Sequence, residues 1–204
     1  DATVQKKQVV TQDTAWCEVD MSIFGARALM YPEGTRIYVR AATVGLVKYW
    51  SVLDETNPLV RDDMVVSVLK ECVRVTIGGI EVGWKSLSVW DRLFVMMLVR
   101  EHTFINGEKQ IASESQCENC GAQVNAQLRS NTMVFNEPNV DYTSQFYDRA
   151  NRVYTFLLSD WNIAEQINEL ELFVPTVGKD IAVRDWVIRR ANSGKDTDGL
   201  TAFA

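Results

Sequence analysis

At 204 residues with 47% hydrophobic content, the chain has room for one mid-sized domain or two small ones around a true apolar core, which excludes wholesale disorder. A formal charge of −6 and a pI of about 4.9 argue against phosphate-backbone binding as its main task, because nucleic-acid binders concentrate basic surface. No apolar run approaches the roughly 18 residues that cross a bilayer, and polar residues fill the N-terminus where a signal peptide needs an apolar stretch, so a soluble, non-secreted chain without membrane contact is expected.

Asp1 in place of Met points to a processed or trimmed start. Residues 1–28 mix polar residues with isolated Trp16, Ile23 and Phe24, the composition of an arm that docks on something or lies disordered. From Leu29 the pattern sharpens. Leu29-Met30-Tyr31-Pro32, a turn at Glu33-Gly34-Thr35 and the alternating Ile37-Tyr38-Val39-Arg40 read as a β-hairpin. Thr43 is placed to cap a short helix carrying Leu46, Val47, Trp50 and Leu53 on one side. Asn57-Pro58 starts a second helix, in which Val65, Val68, Leu69, Cys72 and Val73 follow helical spacing, with Asp62 and Asp63 early and Lys70 and Arg74 late, as the macrodipole prefers. Ile77-Gly78-Gly79-Ile80 is a turn leading to the centre of the chain.

Ser88-Val89-Trp90-Asp91 has the form of a capping box, and Leu93 to Val99 is apolar on every side, which predicts a core helix covered around its whole circumference. Arg100 falls at its negative end and Asn106-Gly107 breaks it. Cys117-Glu118-Asn119-Cys120-Gly121 follows, two thiols on a tight turn between segments able to pair as strands, in the shape of one zinc knuckle.

Beyond Asn136-Glu137-Pro138-Asn139, Thr143 is placed to cap a helix on which Phe146, Tyr147, Ala150, Val153, Tyr154, Leu157, Leu158 and Trp161 keep helical spacing. Leu172 to Arg184 then repeats Leu29 to Arg40 with one residue inserted, so a second hairpin is expected, from duplication or from shared turn chemistry, followed by a helical segment from Asp185 to Ala191. Residues 192–204 have the composition of a flexible tail.

His102 is the only histidine, which removes most templates for nucleophilic catalysis, and no phosphate-loop, dinucleotide or zinc-hydrolase motif occurs. The carboxylate pairs Glu169 and Glu171, Asp62 and Asp63, and Asp141 and Asp148 belong to solvated faces and caps. The spacing of the four cysteines is that of an intracellular chain and not of a disulfide framework, with Cys17 and Cys72 far apart and Cys72 a buried thiol. A full zinc ribbon needs a second ligand pair roughly 15 to 20 residues away, and none exists. His102, Glu101, Glu114 and Glu118 could complete the site, or two subunits could each supply a pair. The economical reading leaves the thiols free and requires no cofactor. If zinc binds, Cys117 and Cys120 are the ligands, in a structural role.

The ordered features resemble the baseplate hub protein family of T4-type contractile-tailed phages: Pro32-x-Gly34, Ile37-x-Val39-Arg40, a capped helix, a second helix ending at Cys72-Val73, Trp84 and Leu87, the core helix, Asn106-Gly107-Glu108 and Cys117-x-x-Cys120. The resemblance covers roughly Leu29 to Phe135 and departs at the N-terminal arm and at the second hairpin. It implies a virion structural protein or assembly factor of the tail baseplate, made in the host cytoplasm, without catalysis, working by contact with other tail proteins or with further copies of itself.

The fold expected is α+β, a helical core with small antiparallel hairpins and a zinc-ribbon-like insert. It divides into an arm (1–28), a baseplate-family-like region (29–135), a C-terminal helix and hairpin (136–191) and a tail (192–204). Trp16, Tyr38, Arg40, Arg184 and Trp186 are the candidate partner contacts, with at least one of Trp16 and Trp186 meeting a partner. The competing reading is an intracellular zinc-ribbon adaptor that recruits a protein or nucleic acid.

Overall fold

The computed structural model of the chain describes residues 15–52, 58–104, 111–128, 133–157 and 169–194. The fold is mixed helix and antiparallel sheet, as an α+β chain requires. A four-stranded sheet in the order β1-β2-β3-β4 joins β1 (Cys17–Glu18), β2 (Thr35–Val39), β3 (Val73–Ile77) and β4 (Ile80–Glu81), all neighbours antiparallel. Its central pair follows from period-two patterning. Thr35, Ile37 and Val39 are buried while Arg36 is exposed, and Ile37 and Val39 face Val75 and Val73 across the ladder.

Helices cover that buried face. Helix α1 (Val44–Ser51) begins where the Thr43 hydroxyl accepts the Leu46 N–H, and α2 (Pro58–Cys72) turns Val68, Leu69 and Cys72 inward. Helix α3 (Arg92–Thr103) adds Phe94, Val95 and Val99, and Phe94 meets Phe24 and Phe135 edge-on, at centroid distances of 5.4 and 5.5 Å. Each such fully buried aliphatic or aromatic side chain contributes about 1.5–3 kcal/mol.

The N-terminal stretch docks on the chain's own core. From Ala15 onward it forms β1, then 3-10 turns over Met21–Met30 interrupted at Gly25 (φ 55°), and it buries Val19, Phe24 and Arg27. The expected strand at Leu29 to Tyr31 does not form, since Leu29 and Met30 end the 3-10 segment. Strand β2 therefore pairs with β1 and with β3, which is distant in sequence. Helix α2 stops at Cys72, so Val73 and Arg74 lie on β3, and Gly78-Gly79 is the tight turn between β3 and β4, with φ of 57° and 83°.

The core helix is covered around most of its circumference: Phe94, Val95, Met97, Val99 and Thr103 are buried, and Leu93 is its one exposed residue, at 60%, with Trp90, just before the helix, at 50%. The capping box does not form. Ser88 makes no side-chain cap, a 3-10 turn covers Val89–Asp91, and the Asp91 carboxylate turns into the core.

A two-stranded hairpin, β5 (Ile111–Gln116) and β6 (Gln123–Leu128), carries the cysteine pair at its tip. The long helix expected from Phe146 is replaced by a sheet. Asn139, not Thr143, caps the short helix α4 (Val140–Phe146), accepting the Tyr142 N–H, and the chain enters β7 (Tyr147–Asp148) and β8 (Val153–Leu157). The Asp148 carboxylate accepts the N–H groups of Ala150 and Asn151, closing a turn that ends at Arg152 with φ 58°. Leu158 and Trp161 lie outside the described residues. Strand β9 (Glu169–Phe173) completes the order β7-β8-β9.

The second hairpin is overturned as well. Leu172 and Phe173 belong to β9, but Ile181, Val183 and Arg184 lie on helix α5 (Val177–Asn192), which starts where the Thr176 hydroxyl accepts the Lys179 N–H. Val177, Ile181 and Val187 then recur at helical spacing, with Val177 and Ile181 against the main core. The similarity to Leu29–Arg40 is thus one of sequence order without shared structure. Helix α5 runs to Asn192, and the rest of the expected tail, from residue 195, lies outside the described residues.

Candidate functional site

The cysteine hairpin forms as its sequence predicts. The six-residue strands pair from Ile111 opposite Leu128 to Gln116 opposite Gln123, which leaves residues 117–122 to make the turn. The Cys117 N–H donates to the Ala122 carbonyl at 2.9 Å and the Gly121 N–H to the Cys117 carbonyl at 2.8 Å. Gly121 takes φ 69°, where an L side chain is strained, and the Gln116 amide donates to its carbonyl at 2.9 Å. The backbone N–H groups of Cys120 and Asn119 and the Cys120 thiol are directed at the Cys117 sulfur and hold its pKa below the ordinary thiol range. Both thiols are free, Cys120 is exposed, and among the described residues no group of three metal-ligating side chains assembles. The other cysteines are elsewhere. Cys17 is exposed on β1, and Cys72 is buried, its thiol pushed up to about 11 chiefly by desolvation.

The five candidate contact residues do not converge on one site. Trp16 lies over Arg74 and Arg40, at 4.2 and 5.0 Å from ring centroid to guanidinium carbon, beside half-buried Tyr38 on the outer face of the first sheet. Arg40 also donates to the Glu71 carbonyl at 2.7 Å. Arg184 and Trp186 sit on α5. Arg184 is bound to Asp62 at 2.6 Å, whereas Trp186 is 46% exposed and Arg190 stands over its ring. Trp186 is therefore open to a partner and Trp16 is half-covered by its own chain.

Two features escape sequence reasoning. One is a buried polar cluster under the 3-10 segment. Asp91 lies 2.8 Å from Arg27 Nε in an off-axis ion pair and accepts the Tyr31 hydroxyl at 2.8 Å, while Tyr31 Oη accepts the Ser88 N–H at 3.1 Å. Arg27 stacks on Phe135 at 3.7 Å, and Arg152 stands over the Tyr31 ring and donates to the Ser86 carbonyl at 2.7 Å. Burial raises the Asp91 carboxyl above its usual range against the opposing pull of Tyr31 and Arg27, and burial together with the Asp91 charge keeps the Tyr31 hydroxyl protonated. Beside it opens a cavity of about 550 Å³ between Arg27, Met30, Trp90, Phe135, Glu137 and Tyr154.

The other feature is the surface of the three-stranded sheet. Tyr154 and Phe156, two residues apart on β8, stack with Tyr142 and Phe146 of α4 and Tyr147 of β7 at 4.6–6.5 Å. Strand β9 is exposed along its whole length, including Leu170 (43%), Leu172 (49%) and Phe173 (53%), and among the described strands it pairs on one side only. The alternation Val153-Tyr154-Thr155-Phe156 was the available signal for a strand, and helical spacing of the same aromatics masked it.

No helix among the described residues is long and apolar enough to cross a membrane. No protein-family model, curated protein or solved structure matches the chain.

Proposed function

We propose that the chain is a structural or assembly component of a contractile-tail phage baseplate, acting by protein–protein contact and not by catalysis. The observation that carries the reading is the exposed edge of β9. A strand whose second edge is unpaired among the described residues, with Leu170, Leu172 and Phe173 exposed, offers backbone groups and apolar side chains to an incoming strand, the mode by which sheets are extended between subunits. The exposed Val183 and Trp186 of α5, three residues apart on one face, supply a second apolar surface of the kind that anchors contacts. The ordered similarity of Leu29 to Phe135 to baseplate hub proteins supplies the setting.

The test is quantitative mass spectrometry of purified particles, tail fractions and assembly intermediates from the phage that encodes the chain. A fixed small multiple relative to tail-tube protein supports a virion part, and presence in intermediates alone supports an assembly factor. Absence from all three overturns the proposal. The zinc-ribbon adaptor reading draws on the cysteine turn, and it takes over if the particles lack the chain while a Cys117→Ser variant loses a cellular partner.

A further inference from the structure

We propose that Cys117 and Cys120 are half of a tetrathiolate zinc site whose other half is the same pair from a second copy of this chain. The inference is independent of the baseplate reading. It starts from the shape of the turn. A glycine in the left-handed region directly after the second cysteine closes the turn, so that both cysteines share the tip of the hairpin. The Cys117–Ala122 and Gly121–Cys117 hydrogen bonds hold that bend without metal, so the two thiols meet an ion with little further ordering.

Among the described residues the chain does not supply the remaining ligands. It has 4 cysteines and 1 histidine. Cys72 is sealed in the main core, Cys17 lies on β1 of the other sheet, and His102 belongs to the last turn of α3. No Asp or Glu among the described residues joins the pair to make three. Zinc in a structural site takes four ligands, almost always including thiolates or imidazoles, so two thiols at an exposed tip leave two positions open to another molecule. A second identical tip fills them by symmetry, because a two-fold axis through the metal presents each chain with the same pair. The hairpin also gains from the cross-link. Among the described strands β5 and β6 pair only with each other, and an isolated two-stranded hairpin is at best marginally stable in water. Binding is a proton exchange without redox change: one Zn²⁺ replaces four thiol protons, forming four Zn–S bonds and releasing four H⁺.

The test uses the full chain, reduced and freed of metal, then titrated with Zn²⁺ and in parallel with Co²⁺. The expected result is one metal per two chains, a mass in solution that doubles from 23.1 kDa and returns to it on chelation, and a cobalt spectrum with the intense bands of tetrahedral tetrathiolate coordination. Cys117→Ser and Cys120→Ser lose all three, while Cys17→Ser, on β1 of the other sheet, keeps them. Alkylating the thiols of folded wild-type protein gives the same loss without a substitution, should a variant fail to fold. One metal per chain in a monomer, no uptake by reduced protein, or a dimer that persists in Cys117→Ser would each overturn the proposal.

Discussion

Removing the Asp91 carboxylate probes the buried cluster most directly. The Asp91 side chain is 1% exposed and that of Arg27 6%, so Asp91→Ala leaves a guanidinium in the core without its counter-charge and takes the acceptor from the Tyr31 hydroxyl. Breaking a buried pair from one side costs about 3–5 kcal/mol, and the Phe135 ring under Arg27 returns no more than about 2 of that. The net expectation is a loss of about 1–5 kcal/mol, read as a lowered urea midpoint at unchanged m by tryptophan fluorescence and far-ultraviolet circular dichroism together. The double variant Arg27→Met/Asp91→Leu, which removes both charges, costs less than Asp91→Ala alone, because the desolvation penalty leaves with them. A loss below about 1 kcal/mol for Asp91→Ala, or a double variant as costly as the sum of the singles, refutes the reasoning.

The remaining predictions concern pH and backbone. Burial raises the folded-state pKa of Asp91 above its ordinary 3.8, so its contribution to stability is full below 3.8 and is lost as pH rises through the folded value. The stability of wild type relative to Asp91→Asn should therefore fall with rising pH in that window, and a rise would show that Arg27, not burial, sets the pKa. Gly178→Ala brings a Cβ to 3.1 Å from Lys85 Cβ and 3.2 Å from the Lys85 carbonyl, so the roughly 1 kcal/mol that alanine gains over glycine in a helix is offset by the shift α5 must make, and thermal melts should show no net stabilisation. Asn139→Ala removes the cap of α4 and costs about 1 kcal/mol by the same measurement. Arg152→Gly relieves a left-handed φ worth about 1–2 kcal/mol but loses a charged hydrogen bond worth about 1.5–3 and a ring contact of about 1, so denaturant titration should show net destabilisation, and a gain would mean that strain dominates.

Helix and strand were legible wherever one pattern stood alone. Thr43 with Leu46, Pro58 through Cys72, and the alternation of Ile37 and Val39 each leave one reading, and the cysteine turn is announced by Cys-x-x-Cys-Gly. The misreadings came where two periods fit the same residues. Tyr147, Val153, Tyr154 and Leu157 satisfy helical spacing on paper, but Asp148 closes a local turn with its own side chain and forces the strand after it. Leu172 to Arg184 mimics a hairpin because Pro and Gly serve equally well before a helix, and Thr176 decides for the helix by accepting the Lys179 N–H. The Asp91 cluster had no local signal. Its partners Tyr31 and Arg27 are brought to it by the 3-10 segment, and a serine three residues upstream makes a capping box the cheaper reading.

The way the second sheet is held to the first explains why its apolar surface remains available. Tyr147 donates to the Met30 carbonyl at 2.8 Å, Arg149 to the Tyr31 and Ala28 carbonyls, and Arg152 to the Ser86 carbonyl. The Met30, Tyr31 and Ser86 carbonyls lie at or just after the ends of 3-10 turns, where the last carbonyls have no partner within the turn, so side chains of β7 and the β7–β8 turn satisfy groups that would otherwise be costly to cover, while the Ala28 carbonyl also accepts the Tyr31 N–H. Docking by directed hydrogen bonds fixes the orientation of the sheet without consuming its leucines. Leu170, Leu172 and Phe173 on β9 and Leu157 on β8 therefore stay in water, where a monomer gains nothing from them, and a partner strand laid along β9 would bury them while completing its ladder.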